Sequence, residues 1–294
     1  MDPNLLYWKS QGQSFLSRVQ IWFRLLDPSV LLCSDAQIQR AHSLMGGEER
    51  RGQDAAAQTL ALSSVHAGSG AVLPLVFRPA ALMPVSAPLV VASFLPHSSV
   101  KPALFWQLLL QSYNAGFNYA NRNSSSEQSK TSLKQLLLIA GTVSYATCAG
   151  ALPQIFINRL GVRSAPIQTF FRSLLPIPLS AALAFFSVST IRSGETEAGI
   201  QVFDSNGNPV GISKAAGEKA VRETALSRAA LFGTTAAVPN LLIFLLSSIA
   251  FILGLMIPVS FSLYPQLGTI KKETLEEELQ AAAADGHLFY HRGL

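Results

Sequence analysis

Long apolar stretches alternate with polar ones along this chain. Residues 135–158 run for 24 positions without a charge, and residues 173–191 for 19. Either would cross about 30 Å of hydrocarbon as a helix. In the first, Gly141, Ser144, Ala149 and Gly150 let neighbouring backbones approach, and Pro153 bends the far end. In the second, Pro176 and Pro178 stand near the start. The 22 uncharged residues between Arg78 and Lys101 contain Pro79, Pro84, Pro88 and Pro96. They predict a kinked span or a short re-entrant element, whose breaks either expose helix ends to a solute or are plain packing kinks. From Ala229 to Ile270 there are 42 residues without a charge. A single helix of that length would measure about 63 Å, twice what a bilayer needs. A break is expected at Val238-Pro239-Asn240, leaving a short first part and a span from Leu241 to Leu263.

The polar stretches predict smaller elements. Phe15, Val19, Trp22 and Leu26 recur at helical spacing and predict an amphipathic helix ending before Asp27-Pro28. It either lies on a membrane surface or packs on the protein's own body. Ser34 to Met45 reads as a second helix with Ser34 or Asp35 at its cap, and Gly46 to Gln58 as loop. Between Arg192 and Arg228, Gly199–Phe203 and Val210–Ile212 read as strands. Asn206-Gly207 supplies the turn between them, and Ser213 to Arg228 follows as a polar helix. Thr274 and Glu277 have capping-box spacing for an acidic helix running to about Ala284, ended by Asp285-Gly286. His287 and His291 would share a face if helical, but no third ligand accompanies them, so no metal site is expected.

One stretch carries chemistry that the others lack. From Phe105 to Arg122 the amides Gln107, Gln111, Asn114, Asn118 and Asn121 are spaced four, three, four and three. On a helix they fall within roughly 80° of arc. The rest of that surface is Phe105, Trp106, Leu108, Leu109, Leu110, Tyr113, Phe117 and Tyr119. Carboxamides pressed against lipid find no partners, so the row must face other helices, a polar solute or water.

Composition sharpens this. The chain is 49% hydrophobic and 13% charged, where soluble domains run at about a quarter charged. The net charge of +5 is dispersed, without basic clusters interleaved with aromatics, so nucleic-acid binding is not expected. Cys33 and Cys148 form neither a disulfide framework nor an iron–sulfur site. No nucleophile–base pair, metal cluster or phosphate loop is visible, so neither an enzyme activity nor a cofactor is expected.

The stretch from Phe105 to Arg122, with the preceding His97-Ser-Ser-Val-Lys-Pro-Ala, resembles the signature block of the sideroflexins, multi-pass proteins of the mitochondrial inner membrane. Leu26-Asp27-Pro28, Asp204-Ser-Asn-Gly-Asn-Pro-Val-Gly211, Tyr264-Pro265-Gln266 and Thr274 to Gln280 extend the likeness over most of the chain. The ending from Phe289 to Leu294 is similar to a divergent subtype, the sideroflexin-4 type. His66-Ala-Gly-Ser-Gly70 stands where the family usually carries His-Pro-Asp-Thr-Gly-Glu. His66 and Gly70 remain of that motif, while its proline and both acids are gone. The charged connector that follows the family's fourth span is also absent here, which departs from its five-pass topology.

Together these readings predict an all-α multi-pass membrane protein of about four to five transmembrane helices, several broken by proline, with a small soluble hairpin-plus-helix insert. The expected layout is a polar N-terminal region, 1–78, and a membrane region, 79–191, that includes the amide-striped helix 102–121. A soluble insert, 192–228, terminal span or spans, 229–270, and an acidic tail, 271–294, complete it. The candidate solute path is Gln107, Gln111, Asn114, Asn118, Asn121 and Arg122. The resemblance implies a mitochondrial inner-membrane protein of the amino-acid transport class, embedded in the lipid bilayer and acting on a small zwitterionic solute such as an amino acid. For the sideroflexin-4 type it implies complex I assembly proteins as partners and a role in iron homeostasis. The lost acids beside His66 argue against serine carriage. The other reading is a non-transporting scaffold in which the amides join helices.

Overall fold

The computed structural model describes residues 3–45, 55–95, 97–123, 133–159, 161, 164, 167–168, 170–241, 245–282 and 286–293. Expectations that fall on residues 46–54, Pro96 and Asp285 lie outside these.

Helix α1 (Pro3–Gln11) leads into α2 (Phe15–Leu25), where Ser14 and Ser17 cap each other reciprocally. Trp22 is buried, its ring centre 5.7 Å from Trp8 and 4.7 Å from Phe261. The inner face of α2 therefore packs on the protein's own body, while Phe15, Leu16 and Phe23 remain exposed. Helix α3 (Asp35–Met45) begins at Ser34, whose N–H donates to Gln37 Oε1 at 2.8 Å. Helix α4 (Ala55–Ser64) starts inside the expected loop, because Ala55-Ala56-Ala57 is a strong helix-forming run.

Helix α5 (Leu82–Phe94) is one short helix despite two prolines. Pro84 falls in the first turn, where its missing N–H would have had no partner, and Pro88 forfeits one interior bond. Helices α6 (Val100–Ala120), α7 (Leu133–Arg159) and α8 (Pro176–Ile191) follow, α8 entered through a π turn at Phe170–Leu174. The end of α7 meets the start of α6, with Gln154 Nε2 donating to the His97 carbonyl at 3.0 Å. At the opposite end Asn123, just past α6, donates to Glu195 Oε2 at 3.0 Å, and Lys134 at the start of α7 pairs with Glu197 at 3.2 Å. Helices α6 and α7 are thus antiparallel, and their Asn123–Lys134 end meets the segment that follows α8.

After the short α9 (Ser193–Ala198) come β1 (Ile200–Phe203) and β2 (Pro209–Ser213) as the expected hairpin, with Gly207 at φ +80° in its turn. Helix α10 (Lys214–Leu241) joins the polar helix and the first part of the terminal apolar stretch into one element. The break expected at Val238-Pro239-Asn240 does not occur there. Helix α10 runs on to Leu241, packed along α8, and α11 (Leu245–Ser262) begins only then. Tertiary packing of this kind outweighs one lost backbone bond.

The tail departs most from expectation. Strand β3 (Leu267–Lys271), α12 (Glu277–Ala282) and β4 (His287–His291) build a four-stranded antiparallel sheet with the hairpin, in the order β2-β1-β4-β3. The acidic helix is described over Glu277–Ala282, its expected end at Ala284 lying outside the described residues, and Thr274 sits in the 3-10 turn before it, its hydroxyl bonded to Lys271 O. His287 and His291 stand on a strand, not a helix. Leu288 and Tyr290 alternate with them and pack with Val202 and Ile270 against Ala216 and Ala220 of α10. That period of two is a strand pattern whose partner lies almost ninety residues back in sequence, at Val202↔Tyr290. The fold is thus mostly helical with a small mixed-origin sheet, rather than all-α.

Two segments, Leu133–Arg159 and Phe170–Ile191, are long and apolar enough to cross a membrane, and only 22% of the most apolar window of each is buried inside the protein. Leu136, Leu137, Tyr145, Phe156 and Phe186 point outward from them. A buried core helix of a soluble protein would have these side chains covered.

Candidate functional site

Four of the five stripe amides face inward. A cavity of about 150 Å³ lies between α5, α6, α7, α8 and α10, and Gln107, Gln111, Asn114 and Asn118 form its α6 wall. The opposite walls carry Gly150, Gln154, Ser180, Ser187, Thr235 and Arg228. Phe105, Leu108 and Leu109 on the outer side of α6 are exposed, so this face is apolar, while the amides turn inward beside the buried Leu110, Tyr113 and Phe117.

Each amide has a distinct setting. Gln107 lies against Gly150, where an added Cβ would come within 2.5 Å of its Oε1. Gln111 Nε2 donates to Gln107 Oε1 at 3.3 Å. Asn118 Nδ2 donates to the Asn114 carbonyl at 2.8 Å, and its buried Oδ1 has no partner among the described residues. Asn121 does not reach the cavity. Its Nδ2 donates to the Phe77 and Phe117 carbonyls at 2.9 and 3.0 Å, tying the end of α6 to the turn before α5.

Arg122 likewise stands outside the cavity. Its guanidinium lies 3.6 Å from the centre of the Tyr119 ring, and its carbonyl accepts from His66 Nε2 at 2.6 Å. His66, Asn121 and Arg122 share a smaller hollow of about 70 Å³. His66 Nδ1 accepts the N–H groups of Gly68 and Ser69 at 3.2 and 3.1 Å, which makes the ring the neutral Nε2–H tautomer. Gly70 closes this turn at φ +68°, a conformation that side chains strain against. Burial holds the His66 pKa below the ordinary imidazole value, and the charges of Arg122 and Arg192 add to that, although the bond to the Arg122 carbonyl opposes it. What remains of the motif ties the turn after α4 to the end of α6.

Sequence reasoning missed Arg228, Arg172, Gly150 and Gln154 as lining residues. Arg228 left one signal, since it is the last charge before 42 uncharged residues. Gly150 stood out only as a small residue for close packing, and nothing local marks Arg172 or Gln154. Among the described residues the lining contains no Asp, Glu, His or Cys.

Helices with apolar outward faces, packed around a mostly apolar cavity that has one carboxamide wall, mark a helical membrane protein. The chain belongs to the sideroflexins, whose family profile matches residues 4–252 and 242–294. Sideroflexin-4 of Danio rerio is 51% identical over 317 aligned residues, covering all of both chains. Sideroflexin-4 of Homo sapiens is 34% identical, covering all of this chain and 93% of that one. Sideroflexin-5 of Homo sapiens is 28% identical over 97% of this chain and 91% of its own. The two profile matches overlap at residues 242–252. No solved structure matches.

Proposed function

We propose that this sideroflexin is a transporter homologue of the mitochondrial inner membrane, of the amino-acid transport class, whose cavity takes a small polar solute. The observation that carries this reading is the inward turn of Gln107, Gln111, Asn114 and Asn118 onto one cavity. Carboxamides donate and accept, so such a wall binds a small solute without requiring a net charge. Serine is not the expected cargo, because the His66 turn lacks the acids of the family motif and its imidazole is engaged with backbone groups. The expected output is respiratory complex I assembly and iron and iron–sulfur homeostasis, a reading that rests on the sideroflexin-4 likeness. Iron itself is not the expected ligand of this cavity.

Purified protein in vesicles tests the reading. Saturable uptake of a small amino acid, abolished by Asn114→Leu combined with Asn118→Leu, is the expected result. A second reading, a non-transporting assembly scaffold, draws on Asn121, whose amide joins helix to turn rather than facing the cavity. No uptake across an amino-acid panel, with complex I lost on deletion of the protein, would favour the scaffold.

A further inference from the structure

Arg228 sits on α10 with 3% of its surface exposed. Its guanidinium carbon lies 4.1 Å from the centre of the Phe261 ring and 5.8 Å from that of Phe117, so aromatic side chains hold the group in place. Both terminal nitrogens, Nη1 and Nη2, are enclosed, and neither has a hydrogen-bond partner among the described residues. Other buried arginines are engaged. Arg78 pairs with Asp35 at 2.7 Å, Arg192 with Glu195, and Arg18 donates to the Ser262 carbonyl at 3.0 Å. Arg292 also keeps nitrogens unpartnered, but it lies outside the cavity and donates Nη2 to the Phe261 carbonyl at 3.0 Å. Only Arg228 combines an unpartnered fork with a place on the cavity wall among the described residues.

The rest of the lining points the same way. Arg172, itself exposed, adds a second positive charge at the lining, and no Asp or Glu among the described residues lines the cavity. Asn118 Oδ1, a bare acceptor, stands on the same lining. A buried guanidinium without an anion is costly, and a carboxylate matches its two parallel donors. A cavity of about 150 Å³ accommodates a molecule of about six non-hydrogen atoms.

We propose that Arg228 is the anion anchor of this cavity, taking the carboxylate of a small organic acid or amino acid on Nη1 and Nη2. The carboxamides of Gln111, Asn114 and Asn118 then meet the remainder of the molecule, with Asn118 Oδ1 accepting a hydroxyl or ammonium hydrogen. The anchor makes the carboxylate, not the amine, the group the protein selects. This inference rests on the reading of the cavity as a solute site.

The test uses the full chain in detergent micelles and four probes of similar size: L-alanine, L-lactate, L-alaninamide and propane-1,2-diol. At saturating concentration the two carboxylates are expected to raise the thermal unfolding midpoint, and the two carboxylate-free probes to leave it unchanged. Equal shifts from L-alaninamide, or none from either carboxylate, would overturn the anchor. Arg228→Gln is expected to weaken carboxylate binding by at least about tenfold, and Arg228→Lys by less, since it keeps the charge and loses the fork. Arg222→Gln, an exposed position on the same helix, serves as the control. Unchanged affinity in Arg228→Gln defeats the proposal. If that variant does not fold, Arg228→Lys and the probe comparison on the unsubstituted protein decide. Uptake into vesicles separates the two ideas. Binding at Arg228 without uptake defeats transport and leaves the anchor, whereas wild-type uptake by Arg228→Gln defeats the anchor and leaves transport.

Discussion

At the scale of single residues, the cavity depends on an absent side chain. Gly150 leaves room for the Gln107 amide, which in turn accepts from Gln111. Gly150→Ala is expected to push the Gln107 amide aside and break that bond. Overpacking of this kind costs about 1–3 kcal/mol, read from the unfolding midpoint, and solute binding should fall by more than stability does. His66 makes a second residue-scale prediction. Protonation at Nδ1 would set a new donor against the Gly68 and Ser69 N–H groups. The folded state therefore holds fewer protons than the unfolded one, and stability falls as the pH drops through about 6.5, the unfolded imidazole value. A pH series of unfolding midpoints should show His66→Gln losing less stability than the native protein between about pH 7.5 and 5.5.

At the scale of elements, the decisive joint is the buried pair Arg192–Glu195 at the end of α8. Arg192 Nη2 reaches Glu195 Oε2 at 2.8 Å and the Arg292 carbonyl at 3.1 Å. Asn123, past the end of α6, donates to Glu195 and to the His291 carbonyl. One ion pair thus holds α6, α8 and the chain's last strand together. Glu195→Ala strands the Arg192 charge and is expected to cost about 3–5 kcal/mol, far more than removal of the exposed Lys134–Glu197 pair. Denaturation of the two variants side by side checks the order. The strands were half legible beforehand. The hairpin carries its own turn at Asn206-Gly207, whereas β4 joins it through pairing with β1 almost ninety residues back, which no local turn announces.

At the scale of the whole molecule, the outward faces of α7 and α8 are apolar and uncovered while the polar groups are collected inside. That arrangement suits helices surrounded by hydrocarbon rather than by water. The cysteines report on it. Cys148 is exposed on α7, and Cys33 is half-buried in the N-terminal region. In intact membranes a polar, impermeant maleimide is expected to leave Cys148 unlabelled until the protein is denatured. Immediate labelling would mean that water bathes this face.

Much was set by local pattern: the apolar lengths of α7 and α8, the inward-facing amides of α6 and the hairpin turn all follow from periodicity along the chain. Charge-free runs and four-three spacing report burial and facing because helix geometry alone relates neighbouring residues. Tertiary structure alone decided the rest. It split the candidate path, sending Gln107, Gln111, Asn114 and Asn118 to the cavity and Asn121, Arg122 and His66 to a clasp at the end of α6. It carried α10 through Pro239, drew the tail into a sheet, and brought Arg228 and Asn118 onto the lining of one cavity. These outcomes depend on which distant surfaces meet, and contacts between residues a hundred positions apart leave no periodic trace in the chain.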